Sequence, residues 1–253
     1  MHTPVARSVY NLMEHLYISG IKIASDIPKD SYLQKIPMIQ FLLQNNYFSF
    51  KNAVTFFVGD NGVGKSTLLE ALAVGSGLNA EGGSRNFNFS TYHTESELYK
   101  YLTIIKKNYE KDGFFLRAES FYNVATNIID NHLNLDGYGG KSLHEQSHGE
   151  SFLSLVQNRF RGNGLYILDE PEAALSPTRQ MTLLLEIKRL VEMGSQFIIA
   201  THSPIVLAYP DAIIFEISNA GINEKQYNET EAYQVMNKFV NEREKMIHYL
   251  FDK

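Results

Sequence analysis

The stretch "NAVTFFVGDNGVGKSTLLEALAVGSG", residues 52–77, decides how this chain folds. Its first part is an apolar run bounded by polar residues and glycine, and the Val and Phe content suits a buried strand. Next, "GDNGVGKST", residues 59–67, satisfies G-x-x-x-x-G-K-[ST] through Gly59, Gly64, Lys65 and Ser66. Glycines let the backbone turn tightly and aim N–H groups at phosphate oxygens, and the helix that opens there adds its positive dipole end. Gly59, Asp60, Asn61, Gly62, Val63, Gly64, Lys65, Ser66 and Thr67 therefore form the candidate nucleotide cradle. Within it, Lys65 is expected to reach the β- and γ-phosphates and the Ser66 hydroxyl to ligate Mg²⁺. A glycine turn that only opens a helix has the same local look; a buried strand before it and an apolar helix after it favour the nucleotide site.

Four more apolar runs read as buried strands: "GFFLRAES" (113–120), "GLYILDEP" (164–171), "QFIIATHSP" (196–204) and "AIIFEIS" (212–218). Helical patterns separate them, including "PTRQMTLLLEIKRLVEMG" (177–194), which ends in glycine. Strands alternating with helices predict an α/β fold with a mainly parallel central sheet. "SELYKYLTIIKKNYEKDG" (96–113) and "SFYNVATNIIDNHL" (120–133) look helical, so residues of about 93–160 are expected to form a helical lobe inserted in one domain of residues 1–253. At the end, Tyr233, Met236, Phe239, Val240, Met246, Ile247 and Leu250 recur at helical spacing, with core packing the default reading and a partner-binding face the minority one.

Composition narrows the class. The 253 residues are 44% hydrophobic and 20% charged, ordinary globular usage. The absence of cysteine excludes disulfides, thiolate metal sites and cysteine nucleophiles. A net charge of −5 exerts no global pull on nucleic acid or anionic lipid. No stretch approaches the roughly 18 apolar residues of a membrane span, and the N-terminal residues lack the apolar core of a secretory signal. A cytoplasmic protein without membrane insertion is expected.

Three further clusters carry chemistry. Residues 165–168 deliver Asp169 to a strand's carboxyl end, where open α/β sheets bind ligands, and Asp169 is expected to hold the Mg²⁺ shell. Glu170 beside it suits the polarisation of an attacking water, although adjacent acids also occur in plain strand-end turns. "IIATHSP" brings His202 to another strand end, in reach of a γ-phosphate or that water. "SHGES", residues 147–151, alone reads as a capping box of Ser147 and Glu150.

Phosphate loop, "SHGES", "ILDEP" and "ATHSP", in that order, resemble the ATPase head of the ABC superfamily, SMC and RecF-like branch. The resemblance implies a P-loop NTPase of ABC-ATPase type with flanking helices and a helical signature lobe. It also identifies "SHGES" as a variant of the signature loop L-S-G-G-Q/E, in which Ser147 and Gly149 meet the γ-phosphate of ATP held by a second head, with Glu150 beside them in the same nucleotide-binding loop. "EAALS" (172–176) matches the loop that crosses the head dimer, with Ser176 where aspartate is usual. The family's glutamine has no equivalent; Glu119 in "FFLRAESF" is the candidate to bridge Mg²⁺ and water. "EGGSRNFNFST", "GFFLRAESFYNVAT", "YGGKSLHEQSHGESFL" and "GSQFIIATHSPI" resemble small stand-alone bacterial ATPases of the AAA family, whose role is unassigned.

The implied activity is Mg²⁺-dependent ATP hydrolysis that closes two heads, a homodimer, on ATP and acts on DNA or a partner protein. Alternatives are the ATP-binding subunit of a membrane transporter and an ATP-gated switch with little turnover. No transporter-type acidic coupling segment precedes the signature, where "DGYGGKSLHEQ" stands, and "NKFV" lacks the aspartate that reads guanine. Arg85 and Arg117 are secondary candidates for phosphate stabilisation. Phe41, Tyr47 and Phe48 suit either adenine or the core.

Overall fold

The computed structural model describes residues 16–84, 96–118, 121 and 147–252. In chain order its strands are β1 (Ile18–Ile23), β2 (Phe48–Ser49), β3 (Val54–Val58), β4 (Leu102–Lys106), β5 (Asp112–Arg117), β6 (Gly164–Asp169), β7 (Gln196–Ala200), β8 (Ile213–Ser218) and β9 (Gly221–Lys225). Its α-helices are α1 (Pro37–Asn45), α2 (Lys65–Gly75), α3 (Leu98–Tyr101), α4 (His148–Arg159), α5 (Pro177–Glu192), α6 (Pro204–Leu207), α7 (Glu231–Asn241) and α8 (Arg243–Phe251). The larger sheet runs β5-β6-β7-β3-β8-β9, parallel from β5 to β8, with β9 antiparallel at the edge.

Both faces of this sheet are covered, which is why its strands read as continuous apolar runs. Phe56, Tyr166, Leu168, Phe197 and Ile199 pack against Phe152 and Leu155 of α4, Leu183 and Ile187 of α5 and Val206 of α6. The alternate residues Phe57, Leu165, Ile167 and Ile198 pack against Met38 and Leu42 of α1 and Leu68 and Leu72 of α2. Each such fully buried side chain contributes about 2 kcal/mol. The five expected strands are all present, and the mainly parallel α/β architecture is as the alternation of runs predicts.

A second sheet was not anticipated. Strands β2, β1 and β4 pair antiparallel in that order. Residues 96–113, expected as one helix, form a single helical turn, α3, followed by β4. The β-branched run "LTIIK" prefers a pleated surface, and β1 offers it a partner from Ile18↔Lys106 to Ile23↔Leu102. Lys106 and Glu110 pair at 3.0 Å across the turn that follows β4. Apart from Phe121, "SFYNVATNIIDNHL" lies outside the described residues.

The C-terminal expectation is half corrected. Helices α7 and α8 form, but neither holds a buried residue. Met236, Phe239, Val240 and Leu250 are 49%, 38%, 67% and 52% exposed, so the apolar stripe is not core. Other helices already cover the sheet faces, and of α7 only Ala232 adds to the packing of the core cluster.

One side chain joins the two sheets. Gln196, the first residue of β7, is fully buried; its Oε1 accepts from the N–H groups of Tyr17 and Ile18 at 2.8 and 2.9 Å, and its Nε2 donates to Ile18 O at 2.9 Å. Gln196→Leu keeps the volume but strands these backbone groups, and is expected to lower unfolding free energy by about 3 kcal/mol. Denaturant titration checks this, and a loss below about 1 kcal/mol would show the two sheets to be held by other contacts.

Candidate functional site

Parallel register gathers the site. Arg117 lies level with Asp169, Asp169 with Ala200, and Ala200 with Phe57, so β5, β6, β7 and β3 end along one edge of the sheet. Asp169 ends β6, and the loops that leave these strand ends carry the phosphate-loop residues, Glu170 and His202.

Backbone geometry explains the phosphate-loop glycines. Gly59 has φ +137°, and a Cβ there would stand 2.2 Å from Ile217 O. Gly64, the N-cap of α2, has φ +102°, and a Cβ would stand 2.3 Å from Ile36 Cγ2. Both positions exclude a side chain by conformation and by space. Lys65 is buried, and its Nζ donates to Gly59 O at 2.6 Å and Asp60 O at 3.0 Å, so the ammonium points into the loop's own curve. Burial holds its pKa below the usual lysine value, opposed by Glu170, Asp169, Asp60 and Glu172.

Asp169 is paired from two sides. Ser66 Oγ donates to its Oδ1 at 3.1 Å, and Arg117 Nε lies 3.3 Å from its Oδ2. Arg117 also reaches Glu70 Oε2 through Nη1 at 3.2 Å. Ser66, Arg117, Asp169, Glu170 and His148 line one cleft of about 340 Å³. A hydroxyl and a carboxylate oxygen at hydrogen-bond distance on its wall fit Mg²⁺, a hard cation that keeps several waters and takes few protein ligands.

Glu170 has a left-handed backbone, φ 50° and ψ 51°, just before Pro171. Its N–H donates to Ala200 O at 2.9 Å, and its Oε1 is 3.8 Å from His202 Nε2. His202 is fixed through its backbone: its N–H donates to Glu172 Oε1 at 2.6 Å, while Thr201 Oγ1 donates to Glu172 Oε2 at 2.7 Å. Glu172 thus ties the "EAALS" loop to the "ATHSP" loop.

Ser147 and Glu150 form the capping box that opens α4. The Glu150 carboxylate accepts from Ser147 N–H at 3.1 Å and from Arg179 Nη2 at 2.8 Å, and Arg179 Nη1 donates to Ser147 Oγ at 3.3 Å. The Ser147 backbone N–H, then its hydroxyl, then Arg179, hold the Glu150 carboxyl below the usual carboxylate range. The cap is therefore intact above that ordinary range and is lost as pH falls through the lowered value. A Cβ on Gly149 would stand 2.8 Å from Ala174 O and 2.9 Å from Arg179 Nη1, so the first turn of α4 rests directly on residues 171–174. At the other end of α4, Arg159 Nη1 pairs with Asp112 Oδ1 at 2.8 Å, and Tyr166 OH donates to Asp112 Oδ2 at 2.8 Å. Burial, then the Asp112 charge, pushes the Tyr166 phenol well above its ordinary pKa.

Lys65, Ser66, Asp169, Glu170 and His202 thus meet at one edge, with Ser147, Gly149 and Glu150 beyond the 171–174 turn. Glu119 and Arg85 lie outside the described residues. Phe48 is buried in the core, Phe41 packs against it, and Tyr47 is exposed. Sequence reasoning missed Arg179 and the inward turn of Glu172; the only available signal for either was position in or just after the loop at 172–176.

A non-glycine residue in the left-handed region costs of order 1 kcal/mol. Glu170→Gly is expected to raise unfolding free energy by about 1 kcal/mol, whereas Glu170→Gln, which keeps the strain, is not; urea titration of both variants checks this.

A family profile described as "AAA domain" matches residues 38–170, more than half of the chain. A second AAA-domain profile, whose description mentions the AbiEii toxin and a type IV toxin–antitoxin system, matches residues 141–208. Structural maintenance of chromosomes protein 6 of Takifugu rubripes is 29% identical over 126 residues, 49% of this chain. The match spans only 11% of that relative's length. Among solved structures, an ATP-binding cassette of an ABC transporter has TM-score 0.50 at 17% identity, over 88% of this chain and 96% of its own. The SMC head domain from Thermotoga maritima has TM-score 0.45 at 15% identity, over 83% and 100%. Among the described residues no helix is long and apolar enough to cross a membrane. With the phosphate loop and the acidic strand end at one edge of a mainly parallel sheet, the chain belongs to the AAA-domain family and shares the fold of an ATP-binding cassette.

Proposed function

We propose that this chain, acting as one ATPase domain with a signature lobe, binds ATP with Mg²⁺ and hydrolyses it, two copies closing face to face on two nucleotides. The observation that carries this reading is Asp169, whose two oxygens face Ser66 and Arg117 at the sheet edge from which the phosphate loop departs. Loop N–H groups cradle the phosphates, and Lys65 exchanges the carbonyls of Gly59 and Asp60 for β- and γ-phosphate oxygens. Ser66 and Asp169 hold Mg²⁺, which, when bound, neutralises charge developing on the phosphates.

Glu170 orients and polarises the attacking water, and His202, 3.8 Å away, supports the same water or the γ-phosphate. Glu172 keeps His202 at that distance through its backbone. Ser147 and Gly149 meet the γ-phosphate on the other copy, with Glu150 beside them, a reading supported by a helix N-terminus with an exposed Ser147. No covalent intermediate is involved; positioning and electrostatics supply the catalysis. The closing motion acts on DNA or a protein partner, a reading supported by the relative named for chromosome maintenance.

Lys65→Ala is expected to weaken ATP binding by about 100-fold or more, removing a charge-assisted contact in a buried site. Equilibrium binding of a fluorescent ATP analogue measures this, and unchanged affinity would sink the reading. Glu170→Gln is expected to keep ATP affinity, slow hydrolysis by about 100-fold or more and accumulate a dimer with ATP and Mg²⁺ but not with ADP. Light scattering reads the mass; a monomer with both nucleotides removes the face-to-face closure, and Ser147→Arg dimerising as well as its parent removes the signature from it.

A further inference from the structure

The signature loop contains an electrostatic contradiction. Glu150 places a carboxylate in a loop that, on the reading above, meets the triphosphate of a second copy, and like charges at that range repel. Glu150 is exposed, so its charge is not hidden by burial. It is held in the loop by its bond from Ser147 N–H at 3.1 Å, the capping half that orders the first turn of α4. The carboxylate therefore serves the local fold while opposing the ligand.

Arg179 resolves this. It sits on the first turn of α5, its own N–H capped by Ser176 Oγ, so it moves with the segment that follows Asp169 and Glu170. Its guanidinium is forked over two loop groups, Nη2 on Glu150 Oε1 at 2.8 Å and Nη1 on Ser147 Oγ at 3.3 Å. Its side chain is 34% exposed, so part of it is open to a second molecule. The missing Cβ of Gly149 leaves the space that the guanidinium fills, since a Cβ there would come within 2.9 Å of Nη1. A guanidinium suits this work better than an ammonium, because its planar fork engages two acceptors at once and still presents N–H groups to a phosphate.

We propose that Arg179 is the positioning residue of the signature loop: it cancels the Glu150 charge, holds the Ser147 hydroxyl in place, and so lets the loop accept the γ-phosphate of ATP bound to a second copy. The proposal rests on the face-to-face reading and adds a named coupling. Because Arg179 stands on the helix entered from the Asp169–Ser176 segment, the state of one copy's hydrolytic loop is transmitted to the loop with which that copy grips its partner's nucleotide.

The test uses the full chain carrying Glu170→Gln, with the ATP concentration at half-maximal dimer as the readout. Adding Arg179→Ala is expected to raise that concentration about tenfold or more, the scale of one charge-assisted contact. Adding Glu150→Gln to that variant is expected to restore most of the loss, since the amide keeps the capping geometry without the charge. Arg179→Lys is expected to fall between, cancelling charge without the fork. Thermal unfolding of each variant accompanies the series. Three outcomes overturn the proposal. If Arg179→Ala dimerises at the parent's ATP concentration, the proposal falls and the face-to-face reading stands. If Glu150→Gln does not restore the dimer, Arg179 acts by packing rather than by charge. If the Glu170→Gln parent never dimerises, the face-to-face reading falls, and the proposal with it.

Discussion

The carboxylate of Asp169 is the constraint around which the remaining parts are arranged. It ends β6 with side-chain exposure of only 4%, where an isolated charge is costly unless paired. The pairing comes from two separate elements: Ser66 from the first turn of α2 and Arg117 from the end of β5. Each neighbour constrains the next in turn, since Arg117 reaches Glu70 on α2 and Glu70 accepts from Ser96 N–H at 2.6 Å. A phosphate loop, two strand ends and the start of α3 are thereby held in fixed relation by a chain of charged contacts inside a largely apolar sandwich. Parallel register makes the arrangement possible, because it aligns the strand ends that an antiparallel sheet would have sent to opposite edges.

A second layer of contacts relates loops to loops. Glu172 faces inward, binding Thr201 and His202, while Arg179, on the first turn of α5, reaches the loop that opens α4. The short segment after Asp169 therefore touches both the loop that follows β7 and the loop that opens α4. Glu170 stands at the junction in a strained backbone, which fits a residue retained for what its side chain does.

Much of this was legible in the sequence, and the limits have physical causes. The five core strands were readable because burial on both faces makes each one a continuous apolar run, and the phosphate loop because its glycines answer to conformational needs that no other residue meets. Strand β4 was misread: "LTIIK" sits among lysines and glutamates at helical spacing, and only its pairing with the distant β1 makes it a strand. The C-terminal stripe was read with the correct period and the wrong environment, since periodicity states which residues share a face and not what that face meets. Asp169, Glu170 and His202 could be placed along one edge because strand ends are predictable positions. Arg179 was not, because nothing in the spacing between residues 147 and 179 reveals that a helix cap and a later helix lie side by side. Gln196 likewise looks like an ordinary polar residue at the start of a strand until both sheets are in view.

The far end of α4 has a mechanical consequence. Arg159, Asp112 and Tyr166 form a largely buried knot that fastens the last turn of the helix to the first residues of β5 and β6, with the Phe160 and Tyr166 rings stacked at 4.2 Å. Sliding α4 along its axis would pull apart an ion pair shielded from water; tilting it about Arg159 would not. Any rotation of the helix about that fastened end would carry Ser147 through the widest arc, about 12 residues and some 18 Å away along the axis.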